Sequence, residues 1–466
     1  MSIRPAETAP WATSLGVSPV AVSTAAPVAA AGIPWGFAEI FVISQTALPA
    51  LLYLPGSQAF RLPIRFSAFA ISLIAFAWYQ LAAPSMPRPR MHPWVLAVLS
   101  LLGLMLLHPQ TVTLTAGMAQ IGVYLAVIAP LFWAPHFVKS PEQMARLFWI
   151  LLLCSGANAV VGVLQVYDPA RWLPQEFSRV VTQSTIGLGA VTYVGANGQQ
   201  IVRPPGLFDT PGAVAGPAMF AALLGLIFTV SPIPFWKRAL SLVLAGCGFG
   251  AIYLSQVRIS LVVAVLMLAV YGMVLFRQGR SARSSKFGLL AVGVLIISFS
   301  LALTVGGASV AERFKTLFAD DPLAVYQQAR GAQLKYTFAE LLYQYPFGAG
   351  LGRWGMAAGY FGSSDPNIPP IWAEIQFTGW MIDGGVLLIG LYLGALITTA
   401  RSQFNLARLA HYPRLGTCAA VVLASGLGPA IMIISFTPFV AQIGIQYWFL
   451  AGALHGVACR DGVQDA

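Results

Sequence analysis

The chain has 466 residues, of which 58% are hydrophobic and only 9% charged, with a net charge of +11 at pH 7. Soluble proteins carry roughly a quarter charged residues, so this composition excludes an ordinary soluble enzyme or binding module. The apolar runs are continuous rather than alternating, which argues against a β-barrel, and the basic residues sit in short loops between them, which argues for membrane orientation and not for nucleic acid.

Residues 1–35 are rich in Ala, Pro, Ser and Thr. They lack a basic start followed by an apolar core, so they read as a flexible cytoplasmic tail and not a signal peptide. Hydropathy then predicts about twelve helical spans. They fall near 36–54, 63–83, 94–107, 113–134, 146–166, 210–231, 239–256, 258–276, 287–306, 377–400, 415–436 and 439–458. The predicted fold is all-α: a single transmembrane domain over 36–458, with a short cytoplasmic tail at 459–466. Cys154, Cys247, Cys418 and Cys459 lie in or at the end of apolar spans, so neither a disulfide framework nor a zinc site is expected.

The loops sort by charge. Arg88 and Arg90, Lys139 and Arg146, Lys237 and Arg238, Arg277 to Lys286, and Arg401 to Arg414 alternate with loops of little positive charge. The positive-inside rule puts both termini in the cytoplasm, and the two long polar segments, 167–209 and 307–376, outside. Within the second, apolar residues at Leu334, Phe338, Leu341 and Leu342 have helical spacing. They predict a short surface helix over 323–345, ended by Pro346 and the glycines after it.

Three arginines in outward segments stand out. Arg258 sits in the tight turn Leu254-Ser-Gln-Val-Arg258-Ile-Ser260 between two spans. A cation there must be solvated, snorkelling or paired with an anion, so it reads equally as an anchor or as an anion ligand. Arg203 opens Arg203-Pro-Pro-Gly-Leu-Phe-Asp209 just before a span, and Arg330 opens the stretch that leads to Pro346-Phe-Gly348-Ala-Gly350-Leu-Gly352. Glycines at 348, 350 and 352 allow positive φ and close backbone approach, which suits bracing an Arg or presenting amides to phosphate. Lys335 and Arg353 are the neighbouring cations of this stretch.

These elements together resemble the O-antigen ligase and O-antigen polymerase family of bacterial membrane glycosyltransferases. The resemblance rests on Arg330 followed by the Pro346–Gly352 turn, the Ser255-x-x-Arg258 turn and the Arg203-x-x-Gly206-x-Phe208 element, and it covers roughly 150–400. It implies a GT-C-like membrane fold, with a large periplasmic loop containing short helices. It also implies a metal-independent enzyme without cofactors that uses an undecaprenyl diphosphate-linked glycan as donor and a second glycan as acceptor. Membrane lipids, and a flippase and chain-length regulator of the same pathway, are the further partners it implies. Arg258 and Arg330 would act in catalysis, with Arg203, Gly348, Gly350, Lys335 and Arg353 binding substrate. Ligases of the family carry His at the start of the helix after the large loop. Alignment on Asp383-Gly384-Gly385 places Glu374 there, which favours polymerase over ligase and makes Glu374 the candidate base. Its other reading is a boundary carboxylate paired with an Arg, and Asp383 reads as the partner of a cation between helices. The rival functions are O-antigen ligase, protein O-oligosaccharyltransferase and, in another class, a polysaccharide or lipid transporter, which would need charges lining a path through the mid-membrane.

Overall fold

A computed structural model describes the chain except residues 1–34, 55, 83–86, 175–176, 178–190, 319–323, 325, 363–366, 410–411 and 464–466. The tail expected at 1–35 therefore lies, but for Trp35, outside the described residues. From Gly36 onward the chain forms one unit.

The apolar runs fold as helices in the expected order. They are α1 (Phe37–Ala50), α2 (Arg61–Ala82), α3 (His92–Met105), α4 (Leu114–Ile128), α5 (Pro130–Phe137), α6 (Pro141–Tyr167) and α7 (Ala215–Thr229). After them come α8 (Phe235–Ser255), α9 (Arg258–Arg277), α10 (Ser281–Lys315), α11 (Gly355–Phe361), α12 (Gln376–Ala407), α13 (Pro413–Met432) and α14 (Gln442–Arg460). Among the described residues, eight helical stretches are long and apolar enough to cross a membrane, with Phe37–Tyr53, His92–Met105 and Ala215–Thr229 as shorter apolar helices. Cap chemistry agrees with these starts: Thr113 and Ser140 accept from the backbone of Ala116 and Gln143.

The structure differs from the sequence reading in four places that matter for the site. First, the chain is mostly helical as expected, but the first long polar segment contains a short antiparallel hairpin, β1 (Thr192–Val194) paired with β2 (Gln200–Val202). Its Asn197-Gly198 turn is a strong hairpin signal, and Gly198 has φ 75. Second, α10 does not stop near 306. It breaks at Gly307, φ 56 and ψ −145, and continues to Lys315. The hairpin packs into that break: a Cβ on Gly307 would meet Ala196 Cα at 2.7 Å, and Ala196 N–H donates to Val305 O at 2.8 Å.

Third, the segment 327–344 is helical as expected, but it contains π-helical turns at Gln327–Gly331 and Thr337–Leu341. Fourth, the Pro346–Gly352 turn docks into a second break, inside α12, where Gly384 and Gly385 leave helical geometry. Ala349 N–H donates to Ile382 O at 2.7 Å and Val386 N–H to Pro346 O at 3.0 Å. The loop's Ala349 N–H and Pro346 carbonyl thus replace part of the interrupted helical ladder. A Cβ on Gly385 would meet Pro346 O at 2.1 Å, and one on Gly350 would meet the backbone of Gln110 at 2.5 Å. Glycine at both positions is what lets the loop seat.

Candidate functional site

Arg258 is the first residue of α9, immediately after a turn in which Gln256 adopts φ 55. Its Nη1 donates to Thr316 Oγ1 at 2.6 Å. Thr316 Oγ1 in turn donates to Arg313 O at 2.7 Å, and Arg313 Nε to Gln256 O at 3.3 Å. The α8–α9 turn and the end of α10 are therefore laced together by arginines.

Arg203 follows β2 directly, and its amide donates to Val191 O at 2.9 Å. The loop it opens is pinned from several sides. Gly206, at φ 67, receives Gln165 Nε2 on its carbonyl at 2.7 Å and donates to Gln165 Oε1 at 2.9 Å, while Tyr53 Oη donates to the same carbonyl. Asp209, nearly buried, closes the loop against Arg65 at 2.6 Å and Arg61 at 3.0 Å. Burial holds the Arg203 guanidinium below its ordinary value; the Tyr193 phenol opposes that shift and the Arg258 charge adds to it. Arg203 Nε is buried without a hydrogen-bond partner among the described residues. No carboxylate pairs with Arg203, Arg258 or Arg313 among those residues. Guanidinium groups left without a carboxylate repel one another, and an anion placed among them would relieve that repulsion.

Arg330 is placed differently. It sits in the first π-helical turn and forms an ion pair with Glu374. Burial lowers its pKa from the usual arginine value. Gln333 fastens the same junction: its Oε1 accepts from the amides of Glu374 at 2.8 Å and Ile375 at 3.1 Å, and its Nε2 donates to Trp372 O at 3.2 Å. Thr337 meets Thr378 at 2.6 Å one turn further along. No hydrogen bond or ion pair among the described residues joins Arg330 to Arg203 or Arg258.

Both groups nonetheless stand at the same end of the bundle. α9 and α13 run antiparallel, since Gly428 lies against Val263 and Met267 while Arg280 reaches Thr417 at 3.0 Å at the other end. Ile433, just past α13, is thus near the Arg258 end. Its carbonyl accepts from Gln376 N–H at 3.0 Å, which fixes the start of α12 and Glu374 there.

Of the remaining sequence candidates, Arg353, Gly348 and Gly350 hold the loop together. Arg353 is buried, with Nε and Nη2 on Pro369 O at 3.3 and 3.0 Å, and Nη1 on Gln110 Oε1 and Ala349 O, each at 3.2 Å. Gly348 and Gly350 form the turn that packs into the α12 break, and Lys335 is exposed on the 327–344 helix. The turn braces Arg353, not Arg330. Asp383 is fully buried, but its hydrogen-bond donors are Gln120 at 3.0 Å and Tyr124 at 2.8 Å, which are neutral, where a cation had been expected. Glu39 of α1 pairs with Arg146. Sequence reasoning missed Arg313, Gln333 and the Asp209 clamp. Of these only Asp209 lay inside a recognised motif.

An apolar groove of about 420 Å³ runs between α6, α8 and α10, lined by Val163, Tyr167, Gly250, Leu254, Val294 and Ala302 among others. Leu254 ends it just before the turn that carries Arg258, and Ala302 just before the Gly307 break. A comparison with protein-family models and with curated proteins finds no match to this chain.

Proposed function

We propose that this chain is a metal-independent membrane glycosyltransferase. In this reading it is a polymerase that joins polyprenyl diphosphate-linked oligosaccharide repeat units on the outer face of the bacterial inner membrane, in surface or exopolysaccharide biosynthesis. The observation that carries the reading is the pair Arg203 and Arg258, unmatched by any carboxylate among the described residues, together with an apolar groove whose lining reaches Leu254, just before the turn that carries Arg258. A lipid diphosphate has the matching shape: a hydrocarbon chain, then two phosphates at the boundary, then sugar in water.

The chemistry follows from that placement. The acceptor hydroxyl oxygen attacks the anomeric carbon of the donor, and the bond from that carbon to the diphosphate oxygen breaks. Guanidinium groups neutralise the charge that grows on the departing diphosphate, and they do so best in bidentate contact in a partly desolvated site. Glu374 takes the hydroxyl proton, with Arg330 beside it. In this proposal the eight long helices, the three shorter apolar ones and α14 make twelve spans, with both termini cytoplasmic on the Arg- and Lys-rich side.

The surface glycan of a deletion strain tests the reading. A single repeat unit on its carrier is the expected product. Long chains left unattached would indicate a ligase instead, and an unchanged glycan would remove the assignment.

A further inference from the structure

The break in α10 has a consequence for the anion seat. Without it, α10 would run on past Gly307 along its own axis. With φ 56 at Gly307, held by Ala196 of the hairpin, the last turns of α10 carry Arg313 and Thr316 against the α8–α9 turn. Two hydrogen bonds fix the contact, Arg313 Nε to Gln256 O at 3.3 Å and Arg258 Nη1 to Thr316 Oγ1 at 2.6 Å. The same hairpin delivers Arg203, which follows β2, and also packs on the break through Ser309 Oγ, which donates to Val194 O at 2.6 Å. One small substructure, a hairpin wedged into a broken helix, thus brings arginines from three separate segments together.

Arg313 uses only its Nε in hydrogen bonding among the described residues, which leaves both terminal nitrogens of its fork for a ligand. It lies within Coulombic reach of both Arg258 and Arg203. Bringing a third like charge to this place costs stability unless an anion of matching valence occupies it. A single phosphate monoester does not need three guanidinium groups, whereas a diphosphate offers oxygens on two phosphorus atoms.

We propose that Arg313 is the third ligand of the diphosphate, beside Arg203 and Arg258, and that the Gly307 break exists to deliver it. This rests on reading the cluster as a diphosphate seat. It places Arg313 on the donor side, with Arg330 and Glu374 on the acceptor side.

Farnesyl diphosphate and farnesyl monophosphate, titrated by calorimetry into the purified full chain in phosphatidylcholine nanodiscs, test the assignment. Arg313→Gln is expected to weaken farnesyl diphosphate about tenfold or more, the usual scale of a lost charge-assisted contact, and to narrow its preference over the monophosphate. Arg313→Lys is expected to recover part of the loss, and Lys315→Gln, a nearby charge not assigned to the seat, to change neither value. Folding of each variant is checked by its elution profile. If Arg313→Gln behaves like Lys315→Gln while Arg258→Gln weakens binding, the role of Arg313 is overturned and the seat stands. If the unaltered chain shows no preference for diphosphate, both the role and the seat are overturned.

Discussion

Arg258→Ala is expected to abolish glycan assembly while leaving protein level and membrane insertion unchanged. Removing one fixed donor from a developing anion costs roughly 10²–10³ in turnover where it has been measured in other enzymes. The effect here should reach at least that scale, because Arg258 also organises its neighbours: it reaches Thr316, which is bonded to the Arg313 carbonyl. Arg258→Lys should recover little. An ammonium on a flexible stem cannot reach Thr316 and grip a phosphate with the same planar fork. The measurement is turnover of lipid-linked repeat units by purified variants, with circular dichroism as the check on folding. Full activity of Arg258→Ala at normal expression would refute the diphosphate seat.

Glu374→Gln should lower turnover by about 10²–10⁴-fold at saturating donor, the usual contribution of a positioned general base. Gln keeps the volume and can still accept from Arg330, so the junction between the 327–344 helix and α12 should persist. Gln333 holds that junction independently through the amides of Glu374 and Ile375. Arg330→Ala should also inactivate. If the two residues act as one unit, the double variant should lose no more than the worse single one. The competing outcome is specific. A carboxylate that only tethers Arg330 would, on conversion to Gln, cost stability or donor affinity with kcat nearly intact.

The helical stretches of this chain were legible because hydropathy is a local property. Most apolar runs became helices close to their expected limits, the exceptions being α10, which runs on past its break at Gly307, and the 113–134 run, which is divided between α4 and α5; even the 327–344 helix was visible in its spacing. What depended on contacts between distant segments was not legible. Gly348, Gly350 and Gly352 announce a tight turn, and all three do have positive φ. Nothing local says that the turn fills a break in α12, with its Ala349 N–H spent on Ile382 O and its Ala349 carbonyl receiving Arg353 rather than Arg330. Arg313 stood in a stretch with no motif, after a glycine that read as the end of a span. Its importance comes from a hairpin more than a hundred residues earlier that wedges the helix open. Asp209 closed a motif whose arginine had drawn attention, yet its partners Arg61 and Arg65 lie on α2, at 3.0 and 2.6 Å. The pairing of Arg330 with Glu374 joins two residues singled out for separate reasons, and proximity alone made that visible.

The central claim is that lipid-linked repeat units are joined to each other and stay on their carrier. Purified protein in nanodiscs, incubated with polyprenyl diphosphate-linked repeat units alone, tests it most directly. The account predicts a ladder of longer glycans, each still released as a reducing sugar only when the diphosphate linkage is cleaved by mild acid. It also predicts one free polyprenyl diphosphate for every bond formed. Repeat units that remain single under these conditions, with no polyprenyl diphosphate released, would contradict it.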